Sequence, residues 1–551
     1  MPSYLTGSTV VGYTVSPDYR IAALQGTFIN GAPQVWLDVN MTYSFPNGSS
    51  SFANGQNYGN GEISAGWVPL SAVQQEAARK ALTAWSNVSA LKFTEVPDGN
   101  TVGDIRFGFS SAVQGTILGQ GYYPTNNSAT AGDVWLNAKL TQQAFTSGKV
   151  LHTAPNPADV HSPTAAANYY VLLHEIGHAL GLSHSFAKTG ETRGTATLPS
   201  TEDSYFKTIM SYNAGSDLYG GTPTTPMPYD ILAIQHLYGR DFYHNSGNDT
   251  YTYDVNDVNF ETIWDTGGTD TLVVTNKTNA TAFSSVYIDL REGMASGIGF
   301  ASFAASTYGQ TINNAIHLTY RGSGQVAVAY HVTIENVVSS DMHDNITGND
   351  ANNRISSGDG NDIINGGMGL DTSVYARARA DYALSKTGTG FTVTNNYLTA
   401  VQGGGTYQAD TLTNIERLSF QNVKVALDIS GNAGKAAKIL GAVFGKETLS
   451  NKDYVGTAIS LLDSGMSYRN LIDAALNVRL GANADSAAVV NLLFTNIVGA
   501  PAGAADLALY TGLLNSGALA RADLAVSAAD HAVNQTNINL VGLASSGIEY
   551  I

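Results

Sequence analysis

His174 and His178 stand four residues apart. On a helix that spacing puts both imidazoles on one face, where they can share one metal ion. Glu175 follows the first histidine, placed to reach a water at the metal rather than the metal itself. Gly181 can take positive φ at low cost, so the chain can leave the helix there and swing His184 in as a third ligand. Three neutral imidazoles leave a fourth position for water. That is the ligand set of a catalytic zinc rather than a structural one, and the chemistry it allows is hydrolysis with Glu175 moving the proton. A short His-Glu-x-x-His run can arise on an ordinary helix, but the added glycine and third histidine make chance a poor explanation.

A second set of residues suits a harder cation. Four nonapeptides stack without a gap over 339–347, 348–356, 357–365 and 366–374. Their sixth positions hold Asp344, Asn353, Asp362 and Asp371, and their eighth positions Ile346, Ile355, Ile364 and Ser373. This is the repeat of a parallel β-roll that binds calcium. Gly358, Gly360, Gly367 and Gly369 permit tight turns with inward carbonyls, and the aspartates add anionic oxygens. The first two turns depart most from the pattern. Successive nonapeptides lie on opposite sides of such a roll, so Asp344 should share a calcium with Asp362, and Asn353 with Asp371. The Asn353 site should be the weaker.

The elements that must position these groups fall into three regions. Residues 1–240 read as an α+β domain. Strands are expected at 35–39, 41–45, 104–109, 117–123 and 133–137. Ser71-Ala72-Val73-Gln74 is a capping box opening a helix to about Trp85. The apolar run Tyr169-Tyr170-Val171-Leu172-Leu173 gives the histidine helix a buried body, after a polar, proline-containing loop. A last helix closes the domain at 227–239. Residues 241–430 form a β region carrying the repeats. From 431 to 551, alanine- and leucine-rich runs at 436–444, 453–462, 468–476, 486–498, 504–514 and 520–531 predict an α-helical domain. Its histidine, His531, has a helix-face or surface role.

The chain has 551 residues, too many for one core. It has no cysteine, which excludes disulfides, a cysteine zinc cage and latency through a thiolate. Aspartate and glutamate number 44 against 27 lysine and arginine, a net charge of −17 with no basic face, so nucleic acid is excluded as a partner. Residues 1–7 have neither a basic nor a continuous apolar stretch, so no Sec signal is expected there, and no run approaches the ~20 apolar residues of a membrane span.

Together these residues resemble the serralysin family, the zinc metalloproteases that bacteria secrete by the type I route, within the wider metzincins. The resemblance covers roughly residues 30–430. It rests on His174-Glu175-Ile176-Gly177-His178-Ala179-Leu180-Gly181-Leu182-Ser183-His184, Ile209-Met210-Ser211-Tyr212, the 230–239 helix, the Trp264 to Leu272 segment, Val332-Thr333-Ile334-Glu335-Asn336, the repeats, and Asp410 to Leu418. It implies a multi-domain fold: an α+β metzincin catalytic domain, a parallel β-roll and the added helical domain. It also implies that Met210 forms the methionine turn beneath one catalytic Zn²⁺. Tyr212 would cap the open site and donate to the oxyanion. Asp265, Gly267 and Asp270 would bind calcium, as would Glu335 just before the roll, giving several structural Ca²⁺. The segment 117–123, with Gly121, Tyr122 and Tyr123, matches the edge strand that holds an extended peptide by backbone pairing.

The sequence departs from the family in three places. Ser185 replaces the usual proline after the third histidine, the roll is short, and the helical tail is not part of the common plan. That tail looks like modules attached to some secreted and surface-layer bacterial proteins. The expected protein is therefore an extracellular endopeptidase, secreted or cell-surface associated, exported by a type I apparatus and acting on protein or peptide substrates. A surface-layer or other cell-surface protein is a candidate partner. The competing reading is a surface-binding protein with a latent protease domain covered by its helical tail.

Overall fold

A computed structural model describes the chain apart from residues 1–8, 142–149, 152–164, 188–195, 214–221, 277–284, 299–309, 318–325 and 398–407, and the short gaps 27, 30–31, 54, 100, 127, 256 and 313–314. The amino-terminal stretch and the polar loop before the histidine helix lie outside the described residues. The chain divides into two compact units, Met1–Ile334 and Glu335–Ile551. The division falls inside the 241–430 region expected above.

In the first unit, a sheet runs in the order Lys92–Glu95, Asn40–Ser44, Ile105–Ser110, Val134–Asn137, Gly119–Gly121. Its first four strands are parallel, and Gly119–Gly121 is an antiparallel edge. Ile105–Ser110 is buried along its whole length, as a central strand covered on both faces should be. Ser71 and Gln74 form the capping box that starts the helix Ala72–Val88. This helix packs on Ala165–Ala179, and Trp85 donates its indole N–H to the Leu173 carbonyl at 3.2 Å. The apolar residues 169–173 are buried. The helix ends where Gly181 takes φ +100°, and the exposed carbonyls of its last turn are not left bare. Trp36 Nε1 donates to Ala179 O at 2.9 Å, and the Tyr238 hydroxyl donates to Leu180 O at 2.8 Å. Tyr238 lies on the closing helix Pro228–Tyr238, so two distant segments fix this end. Further on, Thr250–Asp254 pairs in parallel with Thr271–Thr275, and Glu261–Ile263 with Val326–Val328.

In the second unit, short strands stack in parallel with an 18-residue offset. His343–Thr347 pairs with Ile363–Asn365, and Arg354–Ser356 with Thr372–Val374, so turn one lies on turn three and turn two on turn four. Ile346, Ile355 and Ile364 are fully buried, and Ser373 takes the same place in the fourth turn. Gly358 and Gly360 have φ +87° and +155°, and a Cβ on either would strike the carbonyl of the turn below, at Ser340 and Met342. Helices follow at Asn432–Phe444, Lys452–Asp463, Tyr468–Leu480, Ser486–Val498, Ala504–Asn515 and Arg521–Ala529, around one apolar core. His531 caps the helix Ala532–Asn537 through its Nδ1. The strand Ile548–Tyr550 then pairs antiparallel with Lys424–Ala426. No described helix is long and apolar enough to cross a membrane.

Candidate metal centre

The helix Ala165–Ala179 presents His174 and His178 on one face, and the turn at Gly181 returns His184 to them; all three are buried. His184 Nε2 lies 3.2 Å from His174 Nε2 and 3.3 Å from His178 Nε2. The other ring nitrogens fix the tautomers. His174 Nδ1 is 2.7 Å from Ile209 O, and His178 Nδ1 is 2.7 Å from Leu182 O. A carbonyl only accepts, so both Nδ1 atoms carry the proton and both Nε2 atoms turn lone pairs toward His184. Nitrogens bound at tetrahedral zinc stand about 3.3 Å apart, so the donor set and its spacing fit that ion. The carbonyl bonds are the outer-shell contacts that orient metal-binding imidazoles.

Glu175 is buried beside this cluster, and the Gly121 N–H donates to its Oε2 at 2.6 Å. The edge strand reaches the helix only because it is glycine at two positions. A Cβ on Gly119 would lie 2.5 Å from Glu175 Cγ, and one on Gly121 would lie 2.2 Å from the Glu175 carbonyl oxygen. The Gly121 amide thus faces Glu175, and the Tyr122 amide bonds Asp133 O at 2.8 Å. The Tyr122 hydroxyl donates to Glu62 Oε1 at 2.5 Å, while the Tyr123 ring packs on His178 at 5.2 Å between centroids.

Met210 is fully buried, and a Cβ on Gly177 would meet its Sδ at 2.8 Å, so the sulfur packs directly against the histidine helix. Tyr212 is exposed, with its ring 4.6 Å from that of His184 and 5.7 Å from that of His174. The turn carrying both residues hangs on Asp230. The Thr208 hydroxyl donates to Asp230 Oδ1 at 2.5 Å; the Ile209 and Met227 amides donate to Oδ2 at 2.8 Å each. Burial pushes the Asp230 carboxyl up to about 7 against these three bonds. The Tyr170 hydroxyl adds a bond to Ile209 O at 2.7 Å. Sequence reasoning saw Asp230 only as part of a motif and missed this anchoring. Ser185, the departure from proline, donates to Asp203 Oδ1 at 2.5 Å.

The carboxylates of Asp249, Asp265 and Asp270 come together in the first unit. Gly267, at φ +141°, donates its amide to Asp265 Oδ1 at 2.7 Å, and the Asp249 amide reaches Asp270 Oδ1 at 2.7 Å. Asp265, Gly267 and Asp270 were expected to meet; Asp249 was missed, although it stands just before the strand Thr250–Asp254 that pairs with the segment after Asp270.

Along the repeats, the sixth residues of the first and second turns are tied to those of the turns stacked on them. The Asp344 amide donates to Asp362 Oδ1 at 2.9 Å, and the Asn353 amide to Asp371 Oδ1 at 2.7 Å. The other carboxylate oxygens of Asp362 and Asp371 are buried without a hydrogen-bond partner. Asp344 also accepts from the Ser339 hydroxyl. Asn353 spends its side-chain amide on Asn349 Oδ1 and the Glu335 carbonyl; the latter also accepts from the Arg354 amide. Gly367 and Gly369 have φ +101° and +123° in the fourth turn.

Residues 68–190, which carry the three imidazoles and the buried Glu175, match the matrixin family model. Over 351 residues the chain is 31% identical to a serralysin of Proteus mirabilis, covering 57% of this chain and 60% of that protein. It is 29% identical to serralysin B of Dickeya chrysanthemi over 62% of this chain and 64% of the relative. A serralysin of Photorhabdus laumondii is 30% identical over 49% and 52%. The chain thus spans less than two thirds of the length of these relatives. The likenesses and the histidine geometry together support a serralysin-type metzincin domain in this chain.

Proposed function

We propose that the protein is an extracellular zinc endopeptidase. The observation that carries this reading is the convergence of three imidazole Nε2 atoms, with the tautomers of His174 and His178 pinned by backbone carbonyls. Zinc, when bound by His174, His178 and His184, supplies Lewis acidity toward a water and a scissile carbonyl. Glu175 takes the proton from the attacking water and delivers it to the leaving amine. The Gly121 amide holds one Glu175 oxygen and so orients the carboxylate. Tyr212 donates to the oxyanion from the rim. Met210 fills the floor beneath the imidazoles. Strand 119–121 and the tyrosines after it form one wall of the peptide groove.

The repeats are calcium-binding turns of a β-roll. Asp344, Asp362 and Asp371 supply carboxylates, and positive-φ glycines let carbonyls converge. Asp265, Asp270 and Asp249 supply a further calcium site, with Glu335 at the entrance to the roll. Acidic turns that repel one another without Ca²⁺ keep the chain open inside the cell and fold it outside, in keeping with type I export. The likenesses to serralysins favour this reading over a surface-binding protein with a latent protease domain.

The test is hydrolysis of unfolded casein by the full-length protein with Zn²⁺ and Ca²⁺, beside Glu175→Ala. The expected result is chelator-sensitive cleavage that falls by roughly 10²–10⁴-fold in the variant while zinc stays bound. Full activity in Glu175→Ala overturns the assignment.

A further inference from the structure

Ser185, which stands where proline was expected after the third histidine, is tied into the rim of the centre through its hydroxyl. It is fully buried, and the hydroxyl donates to Asp203 Oδ1 at 2.5 Å. Its carbonyl accepts from the Leu198 amide at 2.8 Å. Asp203 in turn reaches the far end of the methionine turn. Its own carbonyl accepts from Asn213 Nδ2 at 2.8 Å, and the Asn213 carbonyl accepts from the Tyr205 amide at 3.0 Å. The Asn213 amide donates to Ser211 Oγ at 2.9 Å. Asp230 holds the start of the turn at Thr208 and Ile209. One aspartate thus joins the residue after His184 to the residue after Tyr212.

Three rings pack between these ties. Phe186 lies 5.2 Å from His184 and 5.0 Å from Tyr212 between centroids, and Tyr212 lies 4.6 Å from His184. Tyr212 is 55% exposed, so no enclosing core fixes it. Ring pairs hold over a range of separations and do not set a position by themselves. The backbone on either side of the rings has to set it, and Ser185 and Asp203 join those two stretches of backbone.

We propose that Ser185 and Asp203 are positioning residues for Tyr212. The bond between them fixes the third-ligand segment against the end of the methionine turn, with Phe186 as the spacer between the two. The inference rests on the peptidase reading and on Tyr212 as the oxyanion donor. A donor aids reaction only if it already stands where charge develops, so a small displacement costs rate and leaves substrate binding intact. Proline at 185 has no hydroxyl and could not make the bond.

The experiment compares full-length wild type with Ser185→Ala, Asp203→Ala, Asp203→Asn, Tyr212→Phe and the double variant Ser185→Ala/Tyr212→Phe. Peptide kinetics are measured beside zinc content, Tm and calorimetric binding of a phosphinic peptide, whose tetrahedral oxygens stand in for the oxyanion. Tyr212→Phe is expected to lower kcat by roughly 100-fold. Ser185→Ala and Asp203→Ala should each lower it by about 10-fold, with KM and zinc content unchanged. The variants that lose kcat should also bind the phosphinic peptide more weakly. Asp203→Asn keeps an oxygen that accepts from Ser185 and should stay close to wild type. In the Tyr212→Phe background, Ser185→Ala should add nothing, because it acts through the hydroxyl already removed. A drop that persists in that background, or one explained by lost zinc, overturns the positioning role. If Tyr212→Phe is slow while Ser185→Ala and Asp203→Ala match wild type, the tie is wrong and the peptidase stands. If wild type cleaves no peptide, the peptidase reading falls and the inference with it.

Discussion

The histidine centre and the stacked turns both gather atoms that can bind a metal ion, but by opposite physics. The imidazoles are neutral, so packing and two backbone carbonyls can hold them within 3.3 Å of one another. The turns gather carboxylates, and burial and mutual repulsion raise Asp362. A site built from neutral donors can be shaped by the protein before its ion arrives. A site built from buried anions needs a cation or protons to be completed. The zinc cleft is therefore expected to keep its shape without metal, and the turns are not.

Four experiments would break or sharpen that contrast. The largest effect is expected at the edge strand, where the cleft tolerates no extra atom. Gly119→Ala, whose added Cβ would strike the Glu175 side chain, should lower kcat/KM on a peptide by about 100-fold through displacement of Glu175, with zinc content unchanged. Unchanged kinetics would mean that the strand does not position the glutamate. Next, Asp230→Ala strips three donors beneath the methionine turn and should cost about 3 kcal/mol in urea unfolding. A loss confined to activity would show a looser floor than the hydrogen bonds suggest.

The third experiment asks what a buried carboxylate does where hydrogen bonds and the Arg106 charge, rather than a metal ion, act on it. Asp133 accepts from the Tyr58 hydroxyl at 2.6 Å and from Trp135 Nε1 at 3.3 Å, and burial pushes it up to about 7. Its folded value lies above the ordinary 3.8, so the folded state binds the extra proton. The stability this gives is full below about pH 4 and is lost as pH rises through 7. Thermal melts from pH 4 to 8 should show wild type losing ground to Asp133→Asn over that window; parallel curves would contradict it. The smallest effect is expected from Asn353→Asp, which restores the missing charge of the second turn. It should tighten one Ca²⁺ site several-fold in a calcium titration, and weaker binding would show that the Asn349 and Glu335 contacts matter more than charge.

The parts of this molecule legible in its sequence are those whose partners lie a fixed step away. The four-residue spacing of His174 and His178 and the glycine before His184 encode the centre locally. The nine-residue period encodes which turn stacks on which. Asp249 escaped because it reaches Asp265 and Asp270 by strand pairing rather than by spacing. Asp410 and Glu416 escaped for the same reason: they accept from the Asp362 and Asp371 amides, and so occupy repeat positions in space but not in the period. The strand Ile548–Tyr550 was missed because its partner lies more than a hundred residues earlier, across a helical region. The anchoring of the Met210 turn by Asp230 is likewise a tertiary contact with no local signature.

The break between the fourth nonapeptide and Gln408–Thr413, which pairs in parallel on Ile363–Asn365 and continues the stack, has a consequence for chain economy. Successive stacked carboxylates are 18 residues apart within the repeats and 48 apart across the break. Closing the longer loop adds only about 0.9 kcal/mol of chain entropy, because that term grows as the logarithm of length. This is comparable to one net hydrogen bond, and the continuing segment makes several. The interval that holds the hairpin Tyr382–Lys386 and Gly390–Asn395 is thus a natural port for foreign sequence. A guest peptide grafted at 387–389 would be displayed on a stack whose registration depends little on the length of the guest.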